Sequence, residues 1–214
     1  MPVVGVFADS PDRGRGLARD MAVRWALTEV GVAHDLQPLS FADMKAPEHK
    51  ARQPFGQIPT FEADGLTLFE SGAIVLHIAE THPGLLPADP AGRARAIAWM
   101  FAAVSTVEPV IVEREVAVLL EGDQPWTAKR LPGLEARLRQ RLDDLAAALT
   151  GKDWLAGDFS AADIMMVCVL RRPAAAMLMG DYPLLAAYVA RGEARPAFQS
   201  AFAEQKARFD AAHG

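Results

Sequence analysis

The chain has 214 residues, 51% of them apolar and 23% charged, enough for one large or two small domains with a sizeable core. A net charge of −5 excludes the basic footprint of a nucleic-acid binder. Its single cysteine, Cys168, excludes an internal disulfide and fits a reducing compartment.

Val3-Val-Gly-Val-Phe7 is a short β-branched run and reads as a buried strand. It is too short, and lacks the basic start, for a signal peptide, and no apolar run approaches the roughly 18 residues of a membrane span. A cytoplasmic location without membrane contact is therefore expected. Residues 8–16 form a polar loop rich in Gly and Pro. Residues 17–30 have helical periodicity, with Leu17, Met21, Trp25 and Leu27 inward and Gly31 as C-cap. Residues 32–36 read as a second strand, which makes a βαβ unit, and residues 40–52 as a short polar helix. Ile58-Pro-Thr-Phe61 and Leu66-Thr-Leu-Phe69 are β-prone runs joined by a hairpin at Asp64-Gly65. Glu70 and Ser71 follow, with Ser71 expected to cap the helix that begins Ala73-Ile-Val-Leu. Three prolines in residues 82–90 mark a linker. Beyond it the pattern is helical: residues 91–120 opened by Asp89-Pro90, then 127–149, 160–170, 184–191 and 196–209. In the second of these, Leu131, Leu134, Leu138, Leu142, Leu145 and Leu149 recur at spacings of three and four. Ser160 and Asp163 form a capping-box variant before the apolar run 164–170.

Residues 53–80 combine a strand headed by proline, a hairpin, an acid, a hydroxyl and a helix N-terminus, which attracts carboxylate or phosphate. A proline there cannot donate to the ladder, and a cis Ile58-Pro59 bond would turn the Ile58 backbone outward. An exposed strand edge beside an anion site suits a small peptide. Gly56-Gln57-Ile58-Pro59, then Glu70-Ser71 with Ala73-Ile74, resembles the glutathione-binding half of the glutathione S-transferase family. The Ser160/Asp163 box is similar to the N-capping motif of that family's core helix and extends the resemblance over nearly the whole chain. The resemblance implies an α/β thioredoxin-like domain over residues 1–81, a linker over 82–90 and an all-α domain over 91–214.

It also implies how glutathione would be held as co-substrate. Glu70 would face the ammonium of the γ-glutamyl end, and Ser71 with the helix amides its carboxylate. The Ile58 backbone would pair with the cysteinyl unit, and Gln57, with Lys45 or His49, would lie towards the glycyl end. Pro59 would set the backbone geometry. The expected reaction is conjugation of the thiolate to a small hydrophobic electrophile. Peroxidase, disulfide reductase or isomerase chemistry, or non-catalytic binding and regulation, are the alternatives. The chain's tyrosines, Tyr182 and Tyr188, lie far into the second half, and Cys168 sits in an apolar helix. A tyrosine-type activator is therefore absent and a cysteine-type one not expected, and the resemblance is to bacterial members of the family that are not of the tyrosine type. Ser10, or Arg15 and Arg19 at the start of the first helix, would activate the thiol, because donors and cations near a sulfur lower its pKa. The electrophile would bind between the domains, near Trp99 to Arg114, with Met100, Phe101 and Val104 as an apolar wall and Glu108 or Arg114 as a polar one. A homodimer follows from the resemblance. No metal is expected, since the five histidines are scattered and none pairs with Cys168 at ligand spacing.

Overall fold

The computed structural model describes residues 1–213. Their contacts divide the chain into two compact units: Met1–Leu86 together with the residues from Ala194 on, and Pro87–Glu193.

The first unit is built on a four-stranded sheet of order β2-β1-β3-β4, formed by β1 (Val3–Phe7), β2 (Asp35–Leu39), β3 (Thr60–Ala63) and β4 (Leu66–Phe69). β1 and β2 are parallel, joined by α1 (Asp20–Glu29), whereas β3 runs antiparallel to both β1 and β4. The β3–β4 turn is Asp64-Gly65, both at positive φ (50° and 81°), the backbone that a two-residue hairpin requires. With α2 (Pro47–Lys50) and α3 (Ser71–Thr81), the order β-α-β-α-β-β-α is the expected thioredoxin-like one. Val4, Met21, Trp25, Phe61, Ile74 and Ile78 form its core, each under 4% exposed.

Several boundaries move for identifiable reasons. The first helix begins at Asp20 rather than at residue 17, because the Leu17 and Ala18 amides are already taken by the Asp12 carboxylate. The second strand is Asp35–Leu39 rather than residues 32–36, set by parallel pairing with β1 (Val3 to Asp35, Phe7 to Leu39). Pro38 is tolerated there because β2 is an edge strand. The helix expected over residues 40–52 splits into a 3₁₀ turn, Asp43–Lys45, and α2, since Ala46 stands before Pro47 in extended backbone (ψ 149°).

The final helix, α10 (Pro196–His213), joins the first unit instead of the all-helical domain assigned from residue 91 on. Arg24 of α1 is 2% exposed, and its guanidinium donates to Glu204 (3.0 Å), the Ala201 carbonyl (3.2 Å) and Gln205 (3.3 Å). Trp25 packs edge-on against Phe198, and Glu29 takes an ion pair from Arg195.

The second unit comprises α4 (Pro90–Ala102), α5 (Glu108–Leu119), α6 (Thr127–Leu149), α7 (Ala161–Leu170), α8 (Pro173–Ala176) and α9 (Pro183–Glu193). The Asp89 carboxylate caps α4 by accepting from the Gly92 amide (2.7 Å), as Asp89-Pro90 indicated. The helix expected over residues 91–120 is interrupted by a π turn, Ala103–Val107, just before Pro109, whose missing N–H breaks the regular ladder. The helical path Pro90–Leu119 also holds an 18-residue window of mean hydropathy 1.5, so one stretch does reach the length and composition of a membrane span. A third of that window is buried, and the stretch places Ala96, Met100, Ala103, Val107 and Ile111 in the core of this unit beside the ion-paired Glu108 and Glu115. Leu134, Leu138, Leu142, Leu145 and Leu149 of α6 are under 4% exposed, and Leu131 is half-buried.

Candidate functional site

Strand register brings the sequence-predicted residues to one end of the sheet. Pairing of Thr60 with Phe69 leaves Pro59 and Glu70 side by side where the chain steps off β3 and β4. Val4 pairs with Phe61, so the same antiparallel register carries the end of β1, and the loop after it, level with Ile58-Pro59. Phe7 and Ala18 pack on the small cluster of Leu39, Met44 and Ile58. Gly5 permits the close approach: a Cβ there would meet the Thr60 hydroxyl at 2.3 Å.

Ile58-Pro59 is a cis peptide, and Gln57 before it is exposed. Glu70, not Ser71, occupies the N-cap position of α3, and Ser71 is its first residue. Glu70 is exposed and adopts φ 69°, ψ 116°, a left-handed backbone that costs a non-glycine residue on the order of 1–3 kcal/mol. No side chain caps this helix; its first internal bond runs from the Ile74 amide to the Glu70 carbonyl. The amides of the first turn therefore stay available to an anion, beside the 5%-exposed Ser71 and the exposed carboxylate of Glu70.

Residues 54–57 are held from beneath. Lys45 Nζ donates to the Gly56 carbonyl (3.0 Å), the His49 ring meets the Gln57 carbonyl (2.7 Å), and Gln53 Oε1 accepts from the Phe55 amide (2.7 Å). His49 is 1% exposed, so the expectation of a side chain reaching towards a ligand does not hold for it; its ring is spent on the loop.

The loop after β1 is organised by a carboxylate that the sequence reading did not single out. Asp12 is buried and accepts from the Ser10 hydroxyl (2.7 Å) and from the Gly14, Leu17 and Ala18 amides. Arg15 Nε donates to the Asp12 carbonyl (2.8 Å), and Arg19 immediately precedes α1; both arginines are exposed. The hint was local: an Asp with glycines two and four residues on favours turns closed by a side-chain acceptor. Below this loop Ser10, Asp20, Arg24, Gln205 and Arg208 line a small pocket. Burial pushes the Asp20 carboxyl up to about 6, against the pull of Arg24 at 3.7 Å.

In the second unit the residues expected to face an electrophile are divided. Met100 is buried and Phe101 exposed, while Glu108 and Arg114 are engaged with Arg172 and Glu135 (3.7 Å each). Tyr188 is buried and donates to Asp163 (2.9 Å); burial raises its phenol well above the usual range. Among the described residues no cluster of His, Cys, Asp and Glu could hold a metal.

Comparison with known proteins supplies the remaining finding. Residues 13–80 match the family described as glutathione S-transferase, N-terminal domain, and residues 100–196 its C-terminal domain. The chain is 35% identical to glutathione S-transferase 4 of Zea mays over 190 residues, 80% of this chain and 82% of that one. The solved glutathione S-transferase of Xylella fastidiosa superposes with a TM-score of 0.81 at 26% identity, covering 96% and 98% of the two chains. A glutathione S-transferase-I structure bound with lactoylglutathione gives a TM-score of 0.77 at 28% identity over 94% and 98%. Plant and bacterial proteins match alike, and nothing in the matches sorts the chain into the bacterial, non-tyrosine kind expected from its sequence.

Proposed function

Because the chain belongs to the glutathione S-transferase family, we propose that it takes glutathione as co-substrate and transfers the thiolate to a small hydrophobic electrophile. One observation carries the reading: the uncapped N-terminus of α3 with Glu70 at positive φ, set by register beside Pro59. Strained non-glycine backbone at such a point is a mark of a functional site. Ser71 and the first-turn amides take the γ-glutamyl carboxylate, Glu70 its ammonium, and Gln57 and Ile58 the peptide backbone. Ser71→Ala is expected to weaken glutathione binding about tenfold, about 1.4 kcal/mol, in a calorimetric titration. An unchanged affinity would remove Ser71 from the site.

Activation of the sulfur falls to Arg15 and Arg19 in this reading rather than to Ser10. The Ser10 proton is held by Asp12, and a hydroxyl that donates there presents lone pairs outward, which do not stabilise a thiolate. Exposed guanidiniums act by charge. The test is the ultraviolet thiolate absorbance of bound glutathione against pH, whose midpoint is expected below the roughly 8.5 of a free thiol. Ser10→Ala should leave that midpoint within about half a unit, and Arg15→Ala with Arg19→Ala should raise it by about one. A midpoint near 8.5 in the unaltered protein would favour a non-catalytic binder.

The apolar character of the electrophile is supported by Phe41, which is 60% exposed and packs on Phe7 (5.3 Å between ring centres) at the root of the same loop. Family membership also underlies our reading of a cytoplasmic homodimer, for which sedimentation is the check.

A further inference from the structure

We propose that His49 is a positioning residue for glutathione: its ring holds the Gln57 carbonyl from inside the fold and so aims the Gln57–Ile58 backbone at the peptide. The inference rests on the glutathione reading above. A carbonyl oxygen only accepts, so at 2.7 Å the Nε2 atom carries the hydrogen and donates it. The other ring nitrogen, Nδ1, is buried with no partner among the described residues. A histidine present merely to fill space or carry surface charge would not bury an unmatched polar atom, which loses its water without a replacement; its geometry is committed to one backbone oxygen. Lys45 on the Gly56 carbonyl and Gln53 on the Phe55 amide (2.7 Å) complete a grip on three consecutive residues. Gly56 itself, at φ 62°, leaves no space for a side chain: a Cβ would lie 2.7 Å from the Met44 carbonyl. The exposed Gln57 side chain is thus carried by a backbone clamped on its inner face.

The test compares His49→Ala with His49→Gln, whose terminal amide nitrogen stands close to the position of Nε2. His49→Ala should raise the dissociation constant for glutathione about tenfold by calorimetry. It should also speed amide hydrogen exchange over residues 55–58, and His49→Gln should return both towards the unaltered protein. A melting temperature lowered equally in both variants, with affinity and loop exchange unchanged, would overturn the assignment and leave His49 a packing residue. Should the unaltered protein bind no glutathione, the functional reading fails. The exchange rates still decide the clamp: acceleration by Ala and restoration by Gln uphold it, and rates equal in all three proteins overturn it.

Discussion

Replacing Asp163 by alanine is expected to destabilise the helical unit by about 4 kcal/mol, a large part of the stability of an ordinary domain. The carboxylate lies at 0% exposure and gathers donors from three segments. It accepts from the Leu155 amide (3.0 Å), from the Ser160 amide (2.9 Å) and hydroxyl (3.2 Å), and from the Tyr188 hydroxyl (2.9 Å). Ser160 and Tyr188 are themselves 1% exposed, so alanine would leave the Ser160 amide and the two hydroxyl protons in apolar surroundings without this acceptor, at about 1–3 kcal/mol each before relaxation. The carboxyl is raised by burial and drawn back by these same bonds, which shows the opposing effects at one site. Asp163→Asn retains one acceptor oxygen and should recover part of the loss. Urea denaturation followed by the tryptophans gives the measurement, since Trp154 packs edge-on against Tyr188 and reports on this corner. A loss below about 1 kcal/mol for alanine would mean that water or a moved side chain replaces the carboxylate.

Ser160 and Asp163 were legible in the sequence because a capping box is written within four residues. So was the Asp64-Gly65 hairpin, whose backbone demand is met by the two residues that make it. Glu70-Ser71 was legible as a pair, but its geometry was not. Choosing Ser71 as cap followed from average preference, while the register of β3 against β4 turns the chain one residue earlier and places Glu70 in the cap. The same distinction explains β2, which slides along β1 to satisfy a parallel ladder that no local pattern records. Asp12 went unread, and His49 was read as reaching towards the ligand, for a related reason: the partners that fix them are mostly backbone groups of neighbouring turns, which carry no residue identity. The return of α10 to the first unit depends on Arg24, a charged residue among the buried side chains of α1. Arg24 identifies itself as buried only when Glu204, Gln205 and the Ala201 carbonyl stand opposite it.

Asp20 carries the other large effect, and its sign is opposite. The carboxyl is fully buried one turn before Arg24, one oxygen has no hydrogen-bond partner among the described residues, and the 3.7 Å approach of the guanidinium does not offset the loss of water. Burial is the largest cause of its rise from 3.8 to about 6, Arg24 opposes it, and the neighbouring Asp12 adds to it. A folded-state value above the unfolded one means that the folded chain binds this proton more tightly. The associated stability is fully present below about pH 4 and is lost as pH rises through about 6. Two units at about 1.4 kcal/mol each put the penalty near 3 kcal/mol at pH 7, as an order of magnitude. Asp20→Asn resembles the protonated side chain at every pH, and Arg24 keeps Glu204 and Gln205 in the variant. Asparagine should therefore match the unaltered protein near pH 4 and exceed it by up to about 3 kcal/mol at pH 7, with the difference opening between those values. Denaturant midpoints at pH 4, 5, 6 and 7 test this, and two parallel curves would show that the Asp20 charge is compensated in the fold. Stabilisation at neutral pH would also identify the ionised form as a cost carried in the first turn of α1, directly below the Ser10–Arg19 loop to which the chemistry is assigned.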